Sequence, residues 1–152
     1  MEAKISCPYG MSADEPDELL CEGAELVRFE QYDAFMEKQH AMLACVEMHD
    51  EDGACAYLPA LEAELQRYQE QAYVLDPFLE RLVTPVAQTM RAQVLESSCM
   101  CMAPVARLLY MYTKVRGYKV VSRFFPHQVR EMPLLLDALE RFESPTWECM
   151  YV

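Results

Sequence analysis

Val105, Leu108, Leu109 and Tyr112 stand at i, i+3, i+4 and i+7, a spacing that puts four large apolar side chains on one face of a helix. Such a stripe has to be covered, so the fold depends on which other segments carry a matching one. Tyr32, Phe35, Met36, Leu43 and Val46 recur at helical spacing, as do Leu58, Leu61, Leu65 and Tyr68. Leu79, Leu82, Val83, Val86 and Met90 line a further face, and Leu135, Ala138, Leu139 and Phe142 another. With four glycines in 152 residues and 53% hydrophobic side chains, helices are favoured over a turn-rich β fold, and the chain has enough apolar material for a core. The expected fold class is all-α. Helical pairs of irregular length, each needing a neighbour, predict an irregular helical-repeat α-solenoid segment of HEAT or armadillo type.

Punctuation in the sequence sets the expected boundaries. Residues 1–18 hold Pro8, Gly10, Pro16 and the acidic run Asp14 to Glu18, with few large apolar groups, and are expected to form a mobile acidic arm. Residues 19–152 are expected to be the N-terminal part of a repeat domain, truncated at its C-terminal end. Within it, one long helix or two short ones are expected from Leu19 to His49, with Asp50-Glu-Asp-Gly53 as a connection. Asp76 and Pro77 suit the N-cap and first position of a helix, and Pro85 is expected to bend it. A helix is expected from near Ser98 to Arg116, where Gly117 ends or kinks it. A short helix through Phe124 should follow, although Val120, Val121, Phe124 and Phe125 also suit a strand. Ser144-Pro-Thr-Trp147 looks like a cap opening a further helix.

The formal net charge of −12 is uneven: residues 1–64 hold 3 basic and 16 acidic side chains, residues 65–152 hold 10 and 9. A polyanion repels phosphate backbones, which argues against nucleic-acid binding. The longest uncharged run is Ser97 to Ala106, far short of the roughly 20 residues that span a bilayer. The first residues lack the apolar core of a secretory signal, so the seven cysteines are expected in a reducing compartment, the cytosol by default.

Few residues form a constellation with chemistry. Cys99-Met-Cys101 lacks the spacing of a zinc pair, and the cysteines read better as core filler among methionines. His127, after Phe125-Pro126, has no nucleophile near it in sequence, and His40 and His49 are nine residues apart. The acidic runs at 14–18 and 50–52 lack the 12-residue pattern of a calcium loop. Glu70, three residues after Arg67, suits a local ion pair. No phosphate-binding glycine loop is present, so no cofactor is expected. The candidate surface is Arg116, Lys119 and Arg123, whose offsets of three and seven put them on one face if the turn stays helical, where an acidic partner could dock. The plainer reading is a solvated face opposite Val120 and Phe124.

The block Thr113-Lys-Val-Arg-Gly-Tyr-Lys119 and Phe125-Pro-His127, with Arg67-Tyr-Gln-Glu-Gln71 and Leu75-Asp-Pro-Phe-Leu-Glu80, resembles the amino-terminal region of the tubulin-folding cofactor D family from about Leu61 to Val152. The resemblance implies a large helical-repeat chaperone that captures β-tubulin after chaperonin release. It implies work with tubulin cofactors C and E and an ADP-ribosylation-factor-like small GTPase, in the cytoplasm at the microtubule cytoskeleton. Any stimulation of GTP hydrolysis would act on tubulin, so an enzyme is not expected. Two other readings stand beside it: a HEAT or armadillo scaffold with another client, and, more distantly, a thiol or metal enzyme using Cys99, Cys101 or His127.

Overall fold

The computed structural model describes residues 29–96, 101–126 and 129–141. They form six α-helices: α1 Tyr32–Glu47, α2 Glu51–Arg67, α3 Leu79–Leu95, α4 Met102–Arg116, α5 Tyr118–Val121 and α6 Met132–Arg141. Short 3-10 segments cover Gln69–Phe78, Ser122–Phe124 and Val129–Glu131, and no strand occurs among the described residues. Val120, Val121 and Phe124 are therefore helical, because Val121 buries itself fully under the end of α4 where a strand would find no partner. The expected helix through Leu19, the helix start at Ser98, His127, and the cap at Ser144 to Trp147 fall partly or wholly outside the described residues.

α1 and α2 are joined by three residues, Met48 to Asp50, so they lie side by side as a hairpin. α2 and α3 both pack on α4, whose Val105, Leu108, Leu109 and Tyr112 are completely buried. The stripe that most constrains the sequence is thus the centre of the core. Leu61 and Leu65 meet it from α2, and Leu82, Val83 and Val86 from α3. Leu43, Leu58, Tyr68, Leu79 and the α1 pair Phe35 and Val46 are buried with them, while Tyr32, Met36 and Met90 pack against the core half-buried; the side chains of Leu135, Ala138, Leu139 and Phe142 lie outside the described residues.

Two boundaries differ from expectation. Asp50-Glu-Asp-Gly53 is the start of α2: the Asp50 carboxylate accepts the Gly53 N–H at 2.9 Å, and Glu51 and Asp52 sit in the first turn, where the helix dipole favours them. The reversal is made one residue earlier by His49, at φ 58°. At the other site, Asp76 and Pro77 do not open α3 but lie inside the 3-10 segment Gln69–Phe78. The Asp76 carboxylate is engaged by Arg116, and Phe78 precedes α3 without a side-chain cap. Arg67 likewise pairs with Glu64 at 3.2 Å rather than with Glu70, because α2 ends at Arg67 and the i+3 geometry is lost beyond it. Pro85 and Pro59 both lie within helices; Pro85 deprives the Arg81 carbonyl of its helical donor.

One polar connection runs through the core. Gln39 on α1 is fully buried; its Nε2 donates to the Leu82 carbonyl of α3 at 2.8 Å, and its Oε1 accepts from the Tyr112 hydroxyl of α4. Burial also pushes the Tyr112 phenol well above its ordinary titration range, so it remains a donor. Three helices are thereby set in register by one amide.

Candidate functional site

The buried apolar face of α4 fixes its C-terminal end, and the basic residues around it, at the surface. Gly117 terminates α4 at φ 92°, ψ 138°, a conformation that disfavours any residue with a Cβ, and its N–H closes on the Thr113 carbonyl at 2.8 Å. The next helix restarts at once: Tyr118–Val121 continues into the 3-10 turn Ser122–Phe124, and Val120, Phe124 and Phe125 are partly buried against the core. The turn is therefore anchored from below while Lys114, Tyr118, Lys119 and Arg123 remain exposed.

The three expected site residues do not form one continuous helical face, because Gly117 interrupts the helix between Arg116 and Lys119. Lys119 and Arg123 do share a face, four residues apart within one helical run. Arg116 instead forks onto Asp76, with Nη2 to Oδ2 at 2.7 Å and Nε to Oδ1 as the second contact. The hydrogen bonds from Arg116 hold the Asp76 carboxyl below its ordinary value, and Asp76 raises the guanidinium in turn. Lys114 and the exposed Tyr118 join the surface; they could be found in the sequence from their place beside Gly117, since neither falls on the apolar stripe of α4.

Two further Arg–carboxylate forks tie the helices together. Arg107 of α4 reaches Glu62 of α2 at 2.5 and 3.2 Å, and Arg91 of α3 reaches Glu131 at 2.8 and 2.5 Å, just ahead of α6. These bidentate contacts fix geometry between helices more than they add stability at an exposed surface.

Cys55 and Cys101 have a different setting from that of a reactive thiol. Cys101 is buried and Cys55 exposed; desolvation, then the neighbouring Glu51, pushes both thiols upward, away from the thiolate form that attacks or binds metal. Cys99 and His127 lie outside the described residues, and among those described no group of three His, Cys, Asp or Glu side chains could hold a metal ion. No helix of the described residues is long and apolar enough to cross a membrane.

The motif Arg67-Tyr-Gln-Glu-Gln71 and the Leu75-Asp-Pro-Phe78 run are structural. Tyr68 and Phe78 stack around Phe29, with centroids 5.1 and 5.8 Å away, and Phe78 lies 4.6 Å from Tyr32. Aromatic edges from before α1 and after α2 close the same end of the core.

A family model described as tubulin-specific chaperone D-like, ARM repeat, matches residues 65–152, more than half of the chain and nearly the span over which the sequence resembles that group. No solved structure matches the chain. α1 and most of α2 precede the matched span yet share its core through Gln39, Phe35 and Leu61. With its helical repeat architecture and the match across α3 to α6, the chain belongs to the tubulin-specific chaperone D-like ARM-repeat family.

Proposed function

We infer that this chain is a β-tubulin-binding chaperone segment that acts in the post-chaperonin assembly of αβ-tubulin. The observation that carries this reading is the family match over residues 65–152, which covers α3, α4, the basic turn and α6. In this reading the chain works in the cytoplasm with tubulin cofactors C and E and an ADP-ribosylation-factor-like small GTPase. Hydrolysis of GTP takes place on tubulin, with the cofactor complex stimulating it and this chain contributing a binding surface.

A packed set of helices suits the task physically. A partly folded client presents a large surface, and an interface of roughly 1,600 Å² requires a scaffold whose parts hold their relative positions while the client does not. Gln39 ties α1 to α3 and α4, and the three arginine forks tie α4 to α2, α4 to the 3-10 segment Gln69–Phe78, and α3 to the turn ahead of α6. The partner contact is assigned to the turn bearing Arg116, Lys119 and Arg123, with Arg116 positioning the turn through Asp76 and the two exposed cations facing the client.

Co-precipitation of native β-tubulin by the tagged chain tests this. Retention of β-tubulin above a tag-only control is the expected result; recovery at the control level would remove the reading and leave an ARM-type scaffold with another client.

A further inference from the structure

Between Ser97 and Arg130 the chain has six basic side chains and no acidic one, although 25 of its residues are acidic. Two of the six are committed within the fold: Arg107 to Glu62 and Arg116 to Asp76. Lys114, Lys119 and Arg123 are exposed and make no ion pair among the described residues. Lys119 and Arg123 also stand four residues apart on one helical run, where like charges repel. Beside them Tyr118 is 64% exposed, a large aromatic side chain of the kind that anchors protein interfaces.

From this we propose that the turn after α4 binds an extended, carboxylate-rich peptide segment of a protein partner. This deepens the partner-contact reading given above by naming the chemistry of what is held, and it rests on that reading for the place but not for the partner's identity. Carboxylates satisfy Lys119 and Arg123 and remove their mutual repulsion, while Tyr118 covers the peptide backbone. A long nucleic acid or an anionic membrane would extend past the turn onto the rest of a chain whose net charge is −12, and would be repelled there. A short peptide lies within the patch, where a screening length of about 8 to 10 Å keeps the distant acidic residues from opposing it.

The test uses the full chain and a fluorescein-labelled peptide of about ten glutamates, roughly 33 Å when extended. Anisotropy is measured for the wild type, for Lys119→Glu/Arg123→Glu, for Lys119→Gln/Arg123→Gln, and for Lys38→Glu/Arg81→Glu. The last pair makes the same change in net charge at exposed positions on α1 and α3. The wild type should bind, more weakly as salt rises from about 50 to about 200 mM. Reversal at the turn should weaken binding by about tenfold or more, neutralisation by less, and the remote reversal by about twofold at most. Equal losses from the turn and remote reversals would overturn the inference, because net charge alone would then explain binding. So would no binding by the wild type, or equally tight binding of a labelled oligonucleotide of similar length. Circular dichroism on each variant reports folding, and the exposed glutamine pair keeps the test valid if the glutamate pair unfolds. β-Tubulin capture is scored separately: capture without peptide binding removes this inference alone, and peptide binding without capture removes the tubulin reading alone.

Discussion

Replacing Tyr112 by Phe should destabilise the chain by about 1–3 kcal/mol, although it deletes a single oxygen atom. Tyr112 is completely buried, and its hydroxyl donates to Oε1 of Gln39, which is itself at 0% exposure. Without that hydroxyl the amide oxygen keeps no donor and cannot reach water, so the cost is its desolvation, about 1–3 kcal/mol. Gln39→Leu should cost a similar amount, by stranding the Tyr112 hydroxyl and removing the donor 2.8 Å from the Leu82 carbonyl. In the double variant neither polar group is left alone. Its loss should then be no larger than the greater single loss, a coupling of about 1–3 kcal/mol. Urea unfolding followed by circular dichroism reads this directly: with a slope of about 2 kcal/mol/M, a loss of about 2 kcal/mol moves the midpoint by about 1 M. Additive single effects, within about 0.5 kcal/mol, would refute the claim that this bond joins α1 to α4.

Gly117→Ala should lower the melting temperature by about 4 °C or more: φ 92° is unfavourable for alanine even though no heavy atom obstructs the added methyl, and an unchanged melt would show that the turn relaxes freely. Asp50→Ala should cost about 1 kcal/mol of unfolding free energy, because the Gly53 N–H at the start of α2 loses its cap. Asp76 is held below its ordinary pKa by Arg116, so its contribution is complete above about pH 4 and lost as the pH falls through the depressed folded value; the gap in urea midpoint between wild type and Asp76→Asn should therefore narrow from pH about 7 to pH about 3. Glu131→Gln should accelerate amide exchange in α6 while leaving α4 unchanged, since the Arg91 fork precedes α6 directly; equal exchange in α6 of the wild type and the variant would show that α6 is held by other contacts.

Periodicity exposed most of this architecture because apolar stripes report burial directly. The central helix, its partners α2 and α3 and the stop at Gly117 all follow from residue spacing, and two of the segments that carry the resemblance to the cofactor D family, Arg67-Tyr-Gln-Glu-Gln71 and Leu75-Asp-Pro-Phe78, put aromatic rings at one end of the core. What spacing could not show were contacts between residues distant in sequence. Asp76 has the chemistry of an N-cap, yet Arg116, forty residues away, takes its carboxylate and the segment becomes a 3-10 turn. Arg67 and Glu70 suit a helical pair, but the helix ends between them. Gln39 has a polar side chain on a buried face, and only the approach of Leu82 and Tyr112 explains why it is tolerated there. At the basic turn, the sequence identified the cations but could not show that Arg116 is bound internally while Lys119 and Arg123 face outward.

The measurement that bears most directly on the chaperone role follows newly synthesised β-tubulin as it leaves the chaperonin in the presence of the full chain. Native electrophoresis should show labelled β-tubulin shifting into a discrete species that also contains this chain. β-Tubulin that leaves the chaperonin and migrates unaccompanied at every concentration of the chain would contradict the account.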